Sequence, residues 1–223
     1  MRGSAGDITW DLSFAGGGER PVYTFGRTVW ERHLLPGAQC VPWPSAAFRG
    51  TIRGAGEVSA EVDARGALAR IYGHSNAHRW CWLHASLGDG EVLELVAATA
   101  RRPGLRRLAP MAMVQLRLPG VPDAPRVPML AGPLLRTRFH REGFTVSGLM
   151  PGRHPRRLHI EAAIPAERSV TLTYTDPDGS TAVCTNSEVS SVTVSLRDVG
   201  RRRSAERRWE ITGSAHAEIG RRL

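Results

Sequence analysis

Apolar and polar residues alternate along short segments of this chain, and turn residues separate the segments. A period of two places successive side chains on opposite faces of a strand, so each segment predicts a half-buried β-strand. The predicted strands span residues 7–14, 47–53, 57–63, 111–118, 135–149, 157–164, 169–175, 181–186, 189–196 and 209–219. No segment shows a convincing long amphipathic helix. The pattern therefore predicts an all-β, antiparallel sandwich or barrel.

Proline-rich stretches interrupt this alternation at two places. Residues 20–47 include Pro42 and Pro44, which cannot donate to a ladder of strand hydrogen bonds, so we expect irregular structure and no central strand there. A second stretch, rich in proline and glycine, is the expected division between sub-domains. The predicted parts are residues 1–122, a linker at 123–133, and residues 134–223.

The segment Tyr72–Val96 holds the densest group of aromatic, imidazole and amide side chains. As a strand it would carry on one face Tyr72, His74, Asn76, His78, Trp80, Trp82 and His84. The other face would carry mostly small side chains. Residues 73–77 fit a loop equally well. A large aromatic face of this kind lines a cavity or packs as a core, and the pattern alone favours neither.

The turn at Asp89–Gly90 predicts a hairpin within this segment, because this residue pair suits a two-residue connection. The simplest register places His84 opposite Leu95 and puts Glu94 on the same face as Leu83. A bulge of one residue would reverse that assignment and put Glu94 beside His84. Both registers remain open from the sequence.

The chain is basic, with a formal net charge of +9 and 30 basic residues that are all arginine. The arginines form short clusters near predicted turns, which favours a solvated surface over a nucleic-acid site. The three cysteines, Cys40, Cys81 and Cys184, are widely spaced, as in a reducing cytoplasm. No apolar run approaches the ~20 residues of a membrane span. We expect a cytoplasmic protein with no nucleic-acid partner and no membrane span.

Two motifs in the central segment do not have the context that their chemistry needs. Residues 73–77 (GHSNA) nearly match the nucleophile elbow of serine hydrolases, but that elbow requires a strand, turn and helix, and Ala77 replaces its second glycine. His74 and His78 bind a metal together only on one helical turn, whereas on a strand they would lie roughly 13 Å apart. We expect no metal site.

A pocket is the stronger proposal for the central segment. Trp80 and Trp82 would supply flat apolar walls, while His74, Asn76 and His84 would orient a ligand or transfer protons. In the alternative, the tryptophans are core residues and the polar groups are satisfied internally. From periodicity alone, a structural role is favoured for Tyr174, Cys184, Asn186, His216 and Glu218.

Three segments together give the chain a family resemblance: VPWPSAAFRGTI, VDARGALARIYGHSNAHRWCWLHASL and VTLTYTDPDGSTAVCTNSE. In this order they resemble the tocopherol cyclase and carotenoid 1,2-hydratase superfamily, over about residues 7–220. The resemblance implies two lipocalin-like (calycin) β-barrels in tandem, whose cavity holds a long apolar substrate. Family members are commonly longer, so an incomplete first barrel is expected. The family's enzymes cyclise or hydrate prenyl chains, and fungal relatives resemble Diels–Alderases.

Our first functional hypothesis is a cofactor-free cyclisation or isomerisation of an elongated prenyl, terpenoid or polyene molecule. The catalytic candidates are His74, His84 and Glu94. The candidates for ligand binding are Tyr72, Asn76, Arg79, Trp80, Trp82, Tyr174, Cys184 and Asn186. The alternative is a non-catalytic carrier that has the same pocket. Either hypothesis predicts a small hydrophobic molecule as the partner, requires no cofactor or metal, and leaves the oligomeric state open.

Overall fold

The structure is a computed structural model of the chain, and it groups the described residues into two compact units. It describes residues 1–16, 20–35, 37–54, 59–73, 76–106, 108–119, 126–127, 133–151, 154–200 and 206–223. The first unit comprises Met1–Tyr23 and Gln39–Arg70, and the second comprises Thr24–Ala38 and Ile71–Leu223.

A five-stranded antiparallel sheet forms the first unit. Its strands are β1 (Arg2–Ala5), β2 (Ile8–Gly16), β3 (Val22–Tyr23), β4 (Gly37–Arg53) and β5 (Ser59–Gly73). They are ordered β1-β2-β4-β3, and β5 pairs with β4. The hairpin predicted between residues 47 and 63 therefore exists, although residues 55–58 at its turn lie outside the described residues.

The prediction of irregular structure around Pro42 and Pro44 is wrong, because β4 runs through both prolines. On one side, β4 pairs with β3 at Cys40 and Val41 and then with β2 from Ala46 onward. The prolines lie between these two ladders, where a missing N–H removes no hydrogen bond to either strand. One short helix, α1 (Arg27–Glu31), also lies in the segment predicted to be irregular.

A ten-stranded antiparallel sheet dominates the second unit. Its strands are β6 (Arg79–Gly88), β7 (Glu91–Thr99), β8 (Met111–Arg117), β9 (Arg126–Val127), β10 (Leu135–His140), β11 (Gly143–Met150), β12 (Arg156–Ala163), β13 (Val170–Thr175), β14 (Thr181–Asp198) and β15 (Glu206–Arg222). The order is β10-β11-β12-β14-β15-β6-β7-β8-β9, and β13 pairs with β14. The sheet curls until β10 lies near β8, which makes a nearly closed barrel. This confirms the all-β, antiparallel fold class.

The interior of this barrel is packed with aliphatic side chains from most of its strands. On β6 the inward side chains are Cys81, Leu83 and Ala85, none of which is exposed to solvent. They belong to the small face of the central segment. Trp80 and Trp82 consequently lie on the opposite face of the sheet. The aromatic face therefore neither lines nor packs the barrel interior, which the aliphatic face already fills.

The sequence left two registers open for the β6–β7 hairpin, and the structure has the one that contains a bulge. Asp89 (φ 50°) and Gly90 (φ 76°) form the predicted turn, since both adopt the left-handed conformation that it requires. The pairing then shifts between Ser86 and Gly88, and this shift brings His84 directly opposite Glu94. The two side chains therefore lie on the same face of the sheet.

A second irregularity divides β14 internally. The sequence predicted separate strands at 181–186 and 189–196, whereas one strand covers both. Its pairing with β15 shifts between Ser187 and Val192. Before the shift, Cys184 lies on the face opposite the barrel core, while Val192 and Val194 after the shift belong to the core. One strand thus supplies even-numbered residues to both faces.

The predicted division of the chain at 123–133 lies mostly outside the described residues and stays a prediction. Strands from both sides of that stretch share the ten-stranded sheet: β6 to β8 precede it and β10 to β15 follow it. Within the described ranges, no helix is long and apolar enough to cross a membrane.

Replacement of a core side chain tests which face of β6 is inside the barrel. Leu83→Ala should lower the free energy of unfolding by about 2–5 kcal/mol, because it leaves a cavity among buried aliphatic groups. Leu105→Ala, at a side chain 42% exposed, should change it by less than about 0.5 kcal/mol. Urea denaturation measures both. A similarly small decrease in the free energy of unfolding in both variants would contradict the assignment of the core face.

Candidate functional site

Aromatic, carboxylate and imidazole side chains share the sheet face opposite the barrel core. Strand register aligns them in rows: Cys184, Gly220 and Trp80; Asn186, Glu218 and Trp82; and His216, His84 and Glu94. We call this surface the aromatic–carboxylate face. It is built from β14, β15, β6 and β7, which are neighbours in the sheet although they are far apart in the sequence.

The carboxylate of Glu94 lies at the centre of one hydrogen-bond network on this face. Trp82 Nε1 donates to Glu94 Oε1 at 2.6 Å, and His84 Nδ1 lies 2.8 Å from Glu94 Oε2. Glu94 is 3% exposed and His84 is 9% exposed. A buried carboxylate is costly unless hydrogen-bond donors satisfy it, and here two neighbouring positions of β6 supply them. The pairing of Glu94 with His84 gives a fixed, buried acid–base pair.

A second carboxylate, that of Glu218, holds two other side chains of the same face. Trp80 Nε1 donates to Glu218 Oε1 at 2.8 Å. The Cys184 thiol is also hydrogen-bonded to Glu218, and burial together with this carboxylate raises the pKa of Cys184 far above its ordinary value. The thiol therefore stays protonated and acts as a donor, which makes Cys184 a poor nucleophile.

His216 lies between the two networks and has one nitrogen engaged and one free. Its Nδ1 is 2.7 Å from Glu188 Oε1, and its ring lies 4.3 Å from that of Trp82 between centroids. Its buried Nε2 has no hydrogen-bond partner among the described residues and is 4.0 Å from Glu218 Oε2. His216 can therefore present a proton on Nε2 while Glu188 fixes the ring.

Neighbouring carboxylates determine the charge of His216. Burial alone would lower the pKa of His216, but the hydrogen bond to Glu188 and the charges of Glu188, Glu218 and Glu94 outweigh it, so the pKa is raised. Correspondingly, the hydrogen bond from His216 lowers the pKa of Glu188. The pair thus favours an imidazolium beside two carboxylates, a form that can act as a general acid.

The strand backbone at Gly220 makes room for the ring of Trp80. A Cβ atom built on Gly220 would overlap the six-membered ring of that tryptophan. The indole therefore lies flat on the backbone of β15, and this close approach sets the position from which Trp80 reaches Glu218. Glycine is required here because the space is already filled.

Two further predicted ligand-binding residues extend the face towards β13. Asn186 pairs with Glu218 across β14 and β15. Tyr174 pairs with Ala182 on the β13 edge and is 38% exposed. Burial, and then the proximity of Cys184 and Glu218, raises the pKa of the Tyr174 hydroxyl.

The other predicted residues lie elsewhere or outside the described residues. Tyr72 donates through its hydroxyl to the carbonyl of Val29 at 3.0 Å. The Asn76 side chain donates to Asp176 at 2.7 Å, which ties residue 76 to the turn after β13. His74 lies outside the described residues. The proposed binding roles of Tyr72 and Asn76, and the catalytic role of His74, stay predictions.

Arg79 is also separated from the aromatic–carboxylate face. Its guanidinium carbon lies 4.1 Å from the centroid of the Phe139 ring, on the core side of the sheet. Successive side chains of a strand point to opposite faces, so Arg79 cannot follow Trp80 to the other side. Its expected contact with a polar head group stays a prediction.

Periodicity along the sequence favours structural roles for two central members of the face, His216 and Glu218, and nothing in the sequence marks Glu188. The alternation of β15 does place His216 and Glu218 on one face. The missing information was the pairing of β15 with β6, which brings that face beside Trp82 and His84. Within the described ranges, no three His, Cys, Asp or Glu side chains are arranged to hold a metal ion.

Comparison with known proteins agrees with the fold and assigns the family. The model of the family described as tocopherol cyclase-like matches residues 8–221, and the chain belongs to that family. Uncharacterised proteins from Mycobacterium tuberculosis strains H37Rv and CDC 1551 / Oshkosh are each 44% identical over 223 residues, covering 100% of this chain. The chain spans 63% of the length of these relatives. The family resemblance inferred from the sequence is therefore confirmed.

Solved structures show the same fold at low sequence identity. Kievitone hydratase from Nectria haematococca has a TM-score of 0.50 and 13% identity, with 98% of this chain and 63% of that chain covered. The structure of CghA has a TM-score of 0.54 and 11% identity, with 98% of this chain and 62% of the CghA chain covered. The lipocalin-like architecture is thus shared with both.

Substitution of Gly220 tests the close approach of Trp80 to β15. Gly220→Ala should displace the indole, lower the free energy of unfolding by about 1–3 kcal/mol and change the tryptophan fluorescence. Gly104→Ala is the matched control, because nothing lies within 4 Å of an added Cβ there. Thermal unfolding and emission spectra measure both. Unchanged fluorescence in Gly220→Ala would contradict this packing.

Titration of His216 tests the influence of the surrounding carboxylates. Its pKa should lie above the ~6.5 of an unperturbed histidine, and Glu188→Gln should lower it. Because the folded-state pKa is raised, the stability it contributes is complete below the unfolded-state pKa. That stability is lost as the pH rises through the folded-state value. NMR titration of the histidines measures the pKa of His216, whose signal is identified by its loss in His216→Gln. A pKa at or below 6.5 in the wild type would refute the proposed influence of the carboxylates.

Proposed function

We propose that this chain binds an elongated apolar molecule across the aromatic–carboxylate face and catalyses an acid-assisted cyclisation, isomerisation or hydration of its double bonds without a cofactor. The observation that carries the proposal is His216, whose Nδ1 is fixed by Glu188 while Nε2 is free beside Trp82. Membership of the tocopherol cyclase-like family supports the same class of reaction. Kievitone hydratase shares the fold, and its name adds hydration to that class.

Trp80 and Trp82 are suited to hold such a molecule and the charge that develops on it. Each indole has its N–H engaged by a glutamate, which fixes the orientation of the ring. A ring face attracts a cation, and desolvation strengthens that attraction to about 2 kcal/mol or more. The carboxylates of Glu94 and Glu218, at the N–H edges of the two rings, add negative charge near the place where a carbocation would form.

The proposed reaction begins with proton transfer from His216 Nε2 to one carbon of a double bond. The π electrons form the new C–H bond and leave a cation on the adjacent carbon. Attack by a second double bond forms a ring, and loss of a proton from the neighbouring carbon to His216 gives an isomer of the substrate. If water attacks instead, its proton returns to His216 and the product is an alcohol.

His84 and Glu94 have a supporting role in this scheme, as a second proton-transfer pair. Their separation of 2.8 Å allows a proton to move between Nδ1 and the carboxylate. Glu94 also orients Trp82, so one carboxylate holds both the aromatic wall and His84. His74 remains a candidate from the sequence.

A non-catalytic carrier is the second candidate, and one observation favours it. Both oxygens of Glu94 are engaged, by Trp82 and His84, as in networks that stabilise a structure. A carrier needs the same apolar walls but no free acid. The two candidates therefore differ in whether the wild type forms a product, which in the enzyme requires His216.

Ligand binding is tested first, with all-trans-retinol as a polyene probe. Trp82→Ala should weaken binding at least about tenfold, because a ligand that covers the exposed part of the indole removes apolar surface from water. Trp10→Ala, which alters a tryptophan of the five-stranded sheet, should leave the affinity unchanged. Retinol fluorescence enhancement measures the affinity, and thermal unfolding confirms that each variant is folded. Equal affinity in wild type and Trp82→Ala would refute the proposed binding face.

Catalysis is tested with linear polyprenols and product analysis by mass spectrometry. The wild type should give products of unchanged mass or with one water added, and His216→Gln should abolish them while it retains retinol binding. His159→Gln removes an exposed histidine of β12 and should retain activity. Turnover that survives in His216→Gln would refute the proton donor. Binding without any product from the wild type would favour the carrier.

A further inference from the structure

The barrel has a basic depression at the end where its aliphatic core stops. On the core-facing side of β6 and β7, Cys81 and Ala97 are the last apolar residues, and Arg79 and Thr99 pair directly beyond them. These two residues line a depression of about 600 Å³ together with side chains from the approach to β8 and from β10. The depression lies wholly within the second unit.

The lining of this depression is positively charged and contains no acidic residue. Its arginines are Arg79, Arg106 and Arg138, and its histidines are His78 and His140. Among the described residues, none of these three arginines forms an ion pair with a carboxylate. Arg79 is held over the ring of Phe139, and Arg106 Nε donates to the carbonyl of Arg101 at 3.0 Å. Three exposed guanidiniums around one depression give it a positive potential, which attracts anions.

A buried hydroxyl inside the depression also has no partner. Thr137 is only 7% exposed, and within the described part of the chain its Oγ1 makes no hydrogen bond. His78 Nδ1 is buried and unpartnered in the same way, although the main chain of His78 is held by Thr99 and Arg222. A buried polar group without a protein partner gains free energy from a hydrogen bond, so both groups favour a ligand that supplies one.

We propose that this end of the barrel binds a phosphate group, with the Arg79 and Arg106 guanidiniums as the main cationic contacts and the Thr137 hydroxyl as a neutral donor. A phosphate carries up to two negative charges and at least three acceptor oxygens, which suits three arginines and a hydroxyl. A carboxylate offers one charge and two oxygens and would leave part of the cluster unpaired. Free phosphate and the phosphate of a small organic monoester share this chemistry.

The phosphate site is independent of the proposed reaction. Arg79 and Trp80 are consecutive, so their side chains leave β6 on opposite sides of the sheet. The aromatic–carboxylate face consequently has no lining residue in common with the depression. Failure of either proposal leaves the other unaffected.

Calorimetric titration of the 223-residue chain at low salt tests the site with four probes: inorganic phosphate, pyrophosphate, phenyl phosphate and succinate. The phosphates should bind with one-to-one stoichiometry and more tightly than succinate. Similar affinities for phosphate and phenyl phosphate would identify the free ion as the ligand, whereas a clear preference for phenyl phosphate would identify an organic monoester. Tighter binding of succinate, or no binding of any phosphate, would overturn the proposal.

Charge-matched variants separate a specific site from general attraction to a basic chain. Arg79→Gln should weaken binding of the best phosphate probe by about tenfold or more, since it removes a charge-assisted hydrogen bond. Arg136→Gln removes an exposed arginine of β10 outside the depression and should change the affinity by less than about twofold. Equal weakening in the two variants would overturn the site in favour of diffuse electrostatics.

Thr137→Val gives a readout that a purely structural role would not produce. Loss of an unpartnered hydroxyl should leave the melting temperature of the ligand-free chain unchanged or raise it, because no hydrogen bond is lost. The same variant should bind the phosphate probe about fivefold more weakly. Thr173→Val, at an exposed position of β13, is the control and should match the wild type in affinity. A destabilised Thr137→Val with unchanged phosphate affinity would contradict the proposal.

Discussion

The buried carboxylate of Glu94 imposes the constraint on which the arrangement of the second unit depends. A carboxylate with 3% exposure requires hydrogen-bond donors, and its donors, Trp82 and His84, are both on the adjacent strand β6. They reach it only because the pairing shifts between Ser86 and Gly88. A slip of one residue would turn Glu94 towards the leucines of the barrel core. The bulge is therefore needed to satisfy the buried carboxylate of Glu94. The same register brings the side chains of the aromatic–carboxylate face together.

Local sequence signals predicted the strands and turns well, because both depend on neighbouring residues. The turn at Asp89–Gly90 has the predicted form, and the strands predicted at 169–175 and 181–186 are joined by a turn in which the Gly179 N–H donates to the Asp176 carbonyl at 2.9 Å. The exclusion of a strand at Pro42 and Pro44 failed because the effect of a proline depends on whether a partner strand needs its N–H. His216 was assigned a structural role because its contact with Trp82 depends on β15 pairing with β6, which no local pattern encodes.

Adjacent residues of β6 serve separate regions of the protein, which limits how far function can be read from a cluster in the sequence. Trp80 contributes to the aromatic–carboxylate face, Cys81 to the barrel core, and Arg79 to the basic end of the barrel. Their closeness in the chain suggested one pocket containing the polar and aromatic groups together. Instead, the alternation of side chains along the strand places these groups in different regions. Family membership therefore establishes the fold, whereas the pairing of the strands determines which side chains meet at one site.

The irregular pairing within β14 fixes the number of residues in that strand as well as their identity. Cys184 before the shift and Val194 after it are both even-numbered, yet they occupy opposite faces. Deletion of one residue between them would carry a valine out of the core or a thiol away from Glu218, whatever side chain was removed. Among natural relatives, insertions and deletions between Ser187 and Ser190 should thus be rare. The length of this largely buried strand would in this way be preserved as strictly as a sequence motif.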